Sequence, residues 1–465
     1  MEYVSTRGDH KAGFADVLLG GPAPDGGLYL PQHWPQFSQT TIRDFAALSY
    51  PETAFRVLRP FIGDSFGHDE LRADVEAAYA SFSQLCVAPL VQLAPKFFLL
   101  ELFHGPTLAF KDLAMQLMAR LFARGLAKQN RRATVIVATS GDTGSAAIAA
   151  FRGRPELDVI VLHPKGRVSD VQRRQMTTAL DSNVHNIALE GTFDDTQAIV
   201  KTLFADADFA GRTNLAAVNS INLVRILAQS VYYFTAAASL GAGHGRPVNF
   251  VVPTGNFGDI FAGEAAARMG LSVARLAITT NVNDILVRAL ATGEYSAGHA
   301  LPTFSPSMDI QVASNFERAI FEASDRDSAW VAEAMRAFGK TRRIMIPASA
   351  LQALQRRYLA ARADDEETIA TIARIERETG FIIDPHTAVG LAAAEKLRDQ
   401  LEGPIVALAT AHPAKFPDAI TRAIGRPSAF PARLGDLLAR EERYTVLPNA
   451  ISAIKEFILE RVENQ

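Results

Sequence analysis

Ala133-Thr-Val-Ile-Val-Ala138, Thr139-Ser-Gly-Asp-Thr-Gly144 and Ser145-Ala-Ala-Ile-Ala-Ala-Phe151 follow one another without a break, and their succession decides the fold class. The first block is an unbroken run of apolar and β-branched residues, the pattern of a strand covered on both faces. The second is a loop of small and hydroxyl residues. The third has the spacing of a short helix. A further apolar strand is predicted at Asp158-Val-Ile-Val-Leu162. Strand, loop, helix and strand in that order form an α/β unit with parallel pairing.

The same alternation continues outward. Lys96–Phe103 is predicted as a strand and Asp112–Leu126 as a helix. Downstream, strands are expected at Asn186–Leu189, Val248–Val252, Val273–Thr279 and Ile405–Ala409. Helices are expected over Asp194–Ala205 and from about Leu223 to Leu240. The first 95 residues are mixed, with a tight turn at Gly20–Gly27 and helical periodicity over Ile42–Leu58 and Glu70–Phe82. Residues 300–380 read as mostly helical, with Ala329–Phe338 and Ala350–Arg362 as helices and no derivable role. No repeat of solenoid period is present.

The 465 residues are 48% hydrophobic and 21% charged, an ordinary globular balance with length for two or three domains. Lys plus Arg number 47 and Asp plus Glu 50, a net charge of −3 without a basic run, so nothing favours nucleic acid or an anionic membrane. No apolar run reaches the ~20 residues of a membrane helix. The first residues carry acids and lack the apolar core of a signal peptide, and Glu463–Gln465 carry no lipidation signal. The one cysteine, Cys86, is expected to be a buried structural thiol and cannot form an internal disulfide. A reducing, cytoplasmic setting is expected.

In α/β sheets ligands gather at the carboxyl ends of strands, and three such loops are rich in chemistry. Ser140-Gly-Asp-Thr-Gly144 offers hydroxyls and a helix N-terminus, which suits an anion or serves as a plain N-cap. Gly255-Asn-Phe-Gly-Asp259 precedes another helix, and reads as a phosphate cradle of backbone amides or as an ordinary strand-to-helix turn. It lacks the Gly-Lys-Ser/Thr of a Walker loop, and Gly241, Gly243 and Gly245 do not make a dinucleotide fingerprint. His104-Gly-Pro-Thr-Leu-Ala-Phe-Lys-Asp112 places Lys111 among apolar neighbours near a helix start. Both conditions disfavour an ammonium and suit Schiff-base chemistry. The alternative is a surface lysine paired with Asp112. His104, His163, His386 and His412 have no metal-ligand spacing, so no metal is expected. His386 and His412 are read as supporting groups rather than bases.

Taken together, Glu101–Asp112, Ala138–Gly144, Asn219-Ser-Ile-Asn222 with Arg225 and Gln229, Gly255–Asp259 and Thr410-Ala-His-Pro-Ala-Lys-Phe416 resemble the signature of the threonine synthases. The resemblance covers most of the chain, with the motifs in the same order, and is nearest the longer bacterial and fungal form. Leu113 stands where relatives often carry Phe, and Thr254 where many carry Ser.

The resemblance implies a fold-type II pyridoxal-phosphate enzyme, similar to tryptophan synthase β, with the cofactor between two parallel-sheet domains. Residues 96–113 and 213–465 would form the large cofactor-binding domain with the helical insertion at 300–380. Residues 114–212 would form a smaller mobile domain, and 1–95 an N-terminal region. Lys111 would form the internal Schiff base with pyridoxal 5'-phosphate. Gly255, Asn256, Phe257, Gly258 and Asp259 would hold its phosphate, and Thr410 would face the pyridine nitrogen. Ser140, Asp142 and Thr143 would meet the substrate carboxylate and the cofactor ring edge. Asn219, Ser220 and Arg225 would bind the substrate phosphate. The implied enzyme is a carbon–oxygen lyase acting on phosphates: O-phospho-L-homoserine and water give L-threonine and phosphate by γ-elimination and β-addition. A monomer or homodimer is expected. The rivals are a phospho-lyase releasing a 2-oxo acid, a serine or threonine dehydratase, and a non-catalytic anion-binding protein. Arg225 argues against the dehydratase, and Lys111 against the last.

Overall fold

The structure, a computed structural model, describes residues 1–216 and 218–462; the C-terminal Glu463–Gln465 considered above lie outside it. The chain opens with a small antiparallel sheet of β1 (Tyr3–Ser5), β2 (Lys11–Ala12) and β3 (Tyr29–Pro31). β4 (Leu90–Ala94) and β5 (Phe97–Glu101) then begin a larger sheet as an antiparallel pair. The chain crosses to a second sheet for β6 (Ala133–Ala138), β7 (Leu157–Pro164), β8 (Val184–Glu190) and β9 (Leu215–Ala216). It returns for β10 (Val248–Pro253) and β11 (Val273–Thr280), makes a two-stranded pair of β12 (Glu294–Ser296) and β13 (Arg343–Met345), and adds β14 (Tyr358–Arg362) and β15 (Ile405–Ala409). β16 (Thr445–Pro448) goes back to the second sheet.

The larger sheet runs β14-β11-β10-β15-β5-β4 and the smaller β16-β8-β7-β6-β9. Apart from β4 with β5, every pairing in these two sheets is parallel. The expected α/β class with two parallel sheets is observed. One apolar cluster joins the inner faces of both sheets through the helices Lys111–Lys128 and Leu223–Ser239. The second of these is buried on nearly every side, which suits an element apolar all round. The outer face of the larger sheet is covered by the helices Asp365–Thr379 and Pro385–Lys396. That of the smaller is covered by Phe193–Ala205 and Ile451–Val462.

The strand order positions the site. β10, β15 and β5 are neighbours, so the loops leaving Pro253, Ala409 and Glu101 emerge side by side at one end of the larger sheet. β6 and β9 are likewise neighbours, which brings the loop after Ala138 beside the segment leading to Arg225.

Four expectations are corrected. Cys86 is exposed, because it sits in a turn closed by Val87 N–H donating to the Gln84 carbonyl at 2.9 Å, and Val87 and Ala88 take the buried places. The helix expected over Ala350–Arg362 ends at Arg357, and Tyr358–Arg362 pairs with β11 as the sheet's edge. Those five residues are too few to show a period, and edge pairing decides their state. Residues 300–380 are thus not a purely helical insertion. The division at residue 213 also misplaces two segments: Leu215–Ala216 pairs with β6, and Thr445–Pro448 with β8, both in the smaller sheet.

Candidate active site

Lys111 is the first residue of its helix, and the loop before it is strapped to the end of β15. Phe110 N–H donates to the Thr410 carbonyl at 2.8 Å, and His412 N–H to the Leu108 carbonyl at 3.0 Å. Asp112 closes the loop by accepting from the Thr107 amide at 2.8 Å and hydroxyl at 2.7 Å, so it is not the partner of Lys111. The Lys111 side chain is buried, its Nζ 3.2 Å from Asp142 Oδ2 and 4.9 Å from the centroid of the Phe110 ring. Burial pushes its pKa down, Lys415 and Arg225 push the same way, and Asp142 opposes them. A buried amine with depressed basicity is the nucleophile that condensation with a carbonyl requires.

Asp142 opens the helix Asp142–Phe151 after β6. Gly141 before it has φ of +141°, and a side chain there would stand 2.5 Å from Gln172, so only glycine suits the turn. Thr139 Oγ1 shapes the loop by accepting from Gly141 and Gly144 N–H, both at 2.9 Å. Asp142 Oδ1 accepts from Gln172 at 2.8 Å and lies 2.7 Å from Lys415 Nζ. Burial would raise the Asp142 pKa, but Lys415 and Lys111 outweigh it and hold the carboxyl well below its ordinary value. Ser140 is exposed at the loop's mouth and Thr143 half-buried beside it.

Lys415 is the functional residue that reading the sequence missed. It is wholly buried, and its Nζ also donates to the Thr107 carbonyl at 2.8 Å. The available signal was a lone lysine in the apolar Pro413-Ala-Lys-Phe416, directly after a strand end.

Gly255–Phe257 bridge β10 and the helix Gly258–Arg268. A side chain on Gly255 would stand 2.5 Å from the Ser307 carbonyl oxygen. Phe257 takes the left-handed conformation, φ +64°, and is held there by ring contacts with Phe316 and Tyr358. The loop thus delivers free amides and the positive helix end to one point. The Asp259 carboxyl is committed elsewhere: it accepts from the Tyr232 and Tyr233 hydroxyls, and burial pushes its pKa up to about 6. That leaves its backbone amide, not its carboxyl, as the group open to an anion. His386 braces this loop; its Nδ1 lies 2.8 Å from Asp384 Oδ1, and Nε2 accepts from Ser307 N–H at 3.1 Å.

Asn219 is exposed and Ser220 half-buried at the turn before the helix Leu223–Ser239, which Asn222 caps through the Val224 amide at 3.0 Å. Arg225, one turn in, is only 4% exposed. Its Nη1 donates to the Val218 carbonyl at 3.2 Å, and its Nε has no partner among the described residues. Burial lowers its pKa to about 10. A buried guanidinium without a carboxylate is costly unless an anion completes it. Asp142 and Lys415 lie directly beside Lys111, and Arg225 and Asp259 are close enough to act on its charge, so these five residues border one crevice. Among the described residues no group of His, Cys, Asp or Glu has the arrangement of a metal site.

Fold and crevice together define a class, the pyridoxal-phosphate-dependent enzymes of fold type II. The sequence profile described as pyridoxal-phosphate dependent enzyme matches residues 87–362. The profiles described as threonine synthase N terminus and threonine synthase, C-terminal match residues 2–79 and 387–458. The threonine synthase of Pseudomonas aeruginosa is 50% identical over 460 residues, 98% of each chain. The crystal structure of pyridoxal-phosphate-bound threonine synthase from Brucella melitensis superposes with a TM-score of 0.96 at 50% identity, covering 99% of each chain. The yeast threonine synthase structure gives 0.94 at 36% identity, covering 100% of this chain and 99% of that one. The chain belongs to the threonine synthase family. Its own residues fit the cofactor: the Gly255 turn packs so closely that a side chain would meet the Ser307 carbonyl oxygen, a helix N-terminus follows that turn, and Lys111 is a buried amine at a helix start.

Proposed function

We propose that the protein converts O-phospho-L-homoserine and water to L-threonine and phosphate, the last step of threonine biosynthesis. The observation that carries this reading is the pairing, in one crevice, of buried Lys111 with buried Arg225, whose guanidinium has no carboxylate partner among the described residues. The backbone of Gly255, Asn256, Phe257, Gly258 and Asp259 would hold the cofactor phosphate, Lys111 would anchor the group, and Thr410 would meet its ring nitrogen. When bound, pyridoxal phosphate supplies the electron sink for carbanion chemistry at the substrate.

The remaining steps belong to the chain. Ser140 and Thr143 would receive the substrate carboxylate at the start of the helix Asp142–Phe151, and Asp142 would help hold the cofactor. Asn219, Ser220 and Arg225 hold the substrate phosphate, with Arg225 suited to bidentate binding. The Lys111 amine would take the substrate Cα proton and later return it, and would carry the Cβ proton to Cγ, which loses phosphate; water supplies the hydroxyl at Cβ and its remaining proton goes to the phosphate. The lowered pKa of Lys111 keeps more of it in the free-base form. Residues 96–113 with most of 218–440 act as the large domain. Residues 114–216 with β16 and the last helix act as the smaller one, which closes to exclude water. A cytoplasmic monomer or homodimer is the proposed state. Among the described residues no helix is long and apolar enough to cross a membrane.

Product analysis with O-phospho-L-homoserine tests the reading. Threonine and phosphate in equal amounts are expected, and borohydride should fix the cofactor on Lys111. If 2-oxobutyrate is the main product, the phospho-lyase reading replaces this one.

A further inference from the structure

We infer that Asn315, backed by Arg318, is a positioning residue that ties the cofactor-phosphate loop to the substrate-phosphate loop and so sets the length of substrate accepted. The inference rests on the reading of those two loops given above.

Asn315 stands at the N-cap of the helix Phe316–Ala323, where Asn is favoured because its side chain satisfies the helix's free amides. Here it makes no such bond. Its Nδ2 instead donates to the Ser220 carbonyl and to the Asn256 carbonyl, each at 3.0 Å. Its backbone N–H donates to the same Asn256 carbonyl at 3.0 Å. One amide group therefore spans the two loops. A side chain on Gly258 would stand 3.3 Å from this Nδ2 and 3.8 Å from the Ser220 carbonyl oxygen, so it would press on the bridging amide by a few tenths of an ångström.

Arg318 fixes the orientation of that amide. Its Nη1 donates to Asn315 Oδ1, its Nη2 to the Ile221 carbonyl at 2.7 Å, and its Nε to the Tyr29 carbonyl at 3.0 Å. Turning the amide over would set its oxygen against two carbonyls and its NH2 against a guanidinium, so only one orientation is compatible with the neighbours. Arg318 is wholly buried, and burial lowers its pKa to about 9. Its hydrogen-bond partners are one side-chain and two backbone oxygens, while the adjacent Glu317 is bound by Arg7 and Thr6. The next residue, Phe316, holds Phe257 in its left-handed turn. Three consecutive features of one short segment thus converge on the two anion loops, which arise from strands of different sheets.

Two phosphates held a fixed distance apart act as a ruler for what lies between them. Loosening the tie should weaken both seats and blur discrimination by length. Asn315→Leu is nearly isosteric and adds no charge, so its effects come from the two lost donations and from the acceptor withdrawn from Arg318; Asn315→Ser keeps one hydroxyl that can donate or accept and serves if the leucine variant does not fold. The measurements are the pyridoxal-phosphate dissociation constant by absorbance, the inhibition constants of inorganic phosphate and of O-phospho-L-serine, one carbon shorter than the substrate, and the KM of O-phospho-L-homoserine. With two donations removed, cofactor and inorganic phosphate should each bind about tenfold more weakly. KM should rise more than kcat falls, and the preference for the longer phosphate ester should narrow. If cofactor and phosphate constants and length preference stay within twofold of the parent while only the melting temperature drops, Asn315 is merely structural and the inference is wrong. If the unmodified protein fails to act on O-phospho-L-homoserine, the functional reading fails instead, and this inference with it.

Discussion

Lys415 has no exposed surface, yet it carries a charge into the crevice that already holds Lys111. The two lysine side chains share one carboxylate, Asp142, whose two oxygens they meet separately. Removing one partner of a buried ion pair costs more than the pair itself contributed, because the other charge stays buried. Lys415→Met should therefore destabilise the protein by on the order of 3 kcal/mol in denaturant unfolding. It should also act on Lys111. Burial and Lys415 both depress the Lys111 pKa below 10.5, and Asp142 raises it. Without Lys415, one depressing charge is gone and Asp142 is left to Lys111, so both changes favour the ammonium. The pH at which cofactor attachment to Lys111 is half-maximal, followed by borohydride trapping, should move upward. A midpoint that stays put would mean the two lysines are not coupled.

At the scale of elements, each loop of the site is the exit of a parallel strand into a helix, and its shape depends on what is packed above it. Gly255 shows this most directly, since the Ser307 carbonyl lies where its side chain would be. Gly255→Ala should leave the helix Gly258–Arg268 intact by circular dichroism while weakening cofactor binding at least about tenfold, through displacement of a backbone contact rather than loss of a group. Binding unchanged from the parent would remove the loop from the cofactor site. The same dependence explains what the sequence made legible. Lys111, the loop at Ser140–Gly144 and the loop at Gly255–Asp259 are local words, each readable from a few neighbouring residues. Lys415 acquires meaning only from Asp142 on the other sheet, and Asn315 only from carbonyls of two loops distant in sequence. β14 is illegible locally, because five residues beside a helical run carry no period of their own, and its strand state comes from β11. Cys86 was placed inside on its residue type, while the turn geometry gave the inner places to Val87 and Ala88.

For the molecule as a whole, the smaller sheet is built from two separate stretches of chain. Its edge strand β16 pairs with β8, and the helix Ile451–Val462 covers the apolar side chains of Ile187, Leu189 and Leu203. Arg173 and Arg174, on the helix that also presents Gln172 to Asp142, are held by Glu442 at 3.1 and 3.2 Å. A chain stopped after Arg440 should therefore lose more than its tail. Its melting temperature should fall, and it should bind pyridoxal phosphate more weakly than the full chain even where it remains folded. Unchanged affinity would show that the Asp142 loop does not need this support.

That late strand also imposes an order on biogenesis. A ribosome completes β6 to β9, then all of the larger sheet, before the residues of β16 leave the exit tunnel. Throughout that interval β8 is an open parallel edge with bare apolar side chains beside it, the kind of surface on which nascent chains associate with one another. Overproduction faster than β16 can close on β8 should therefore yield inclusion bodies seeded at β8.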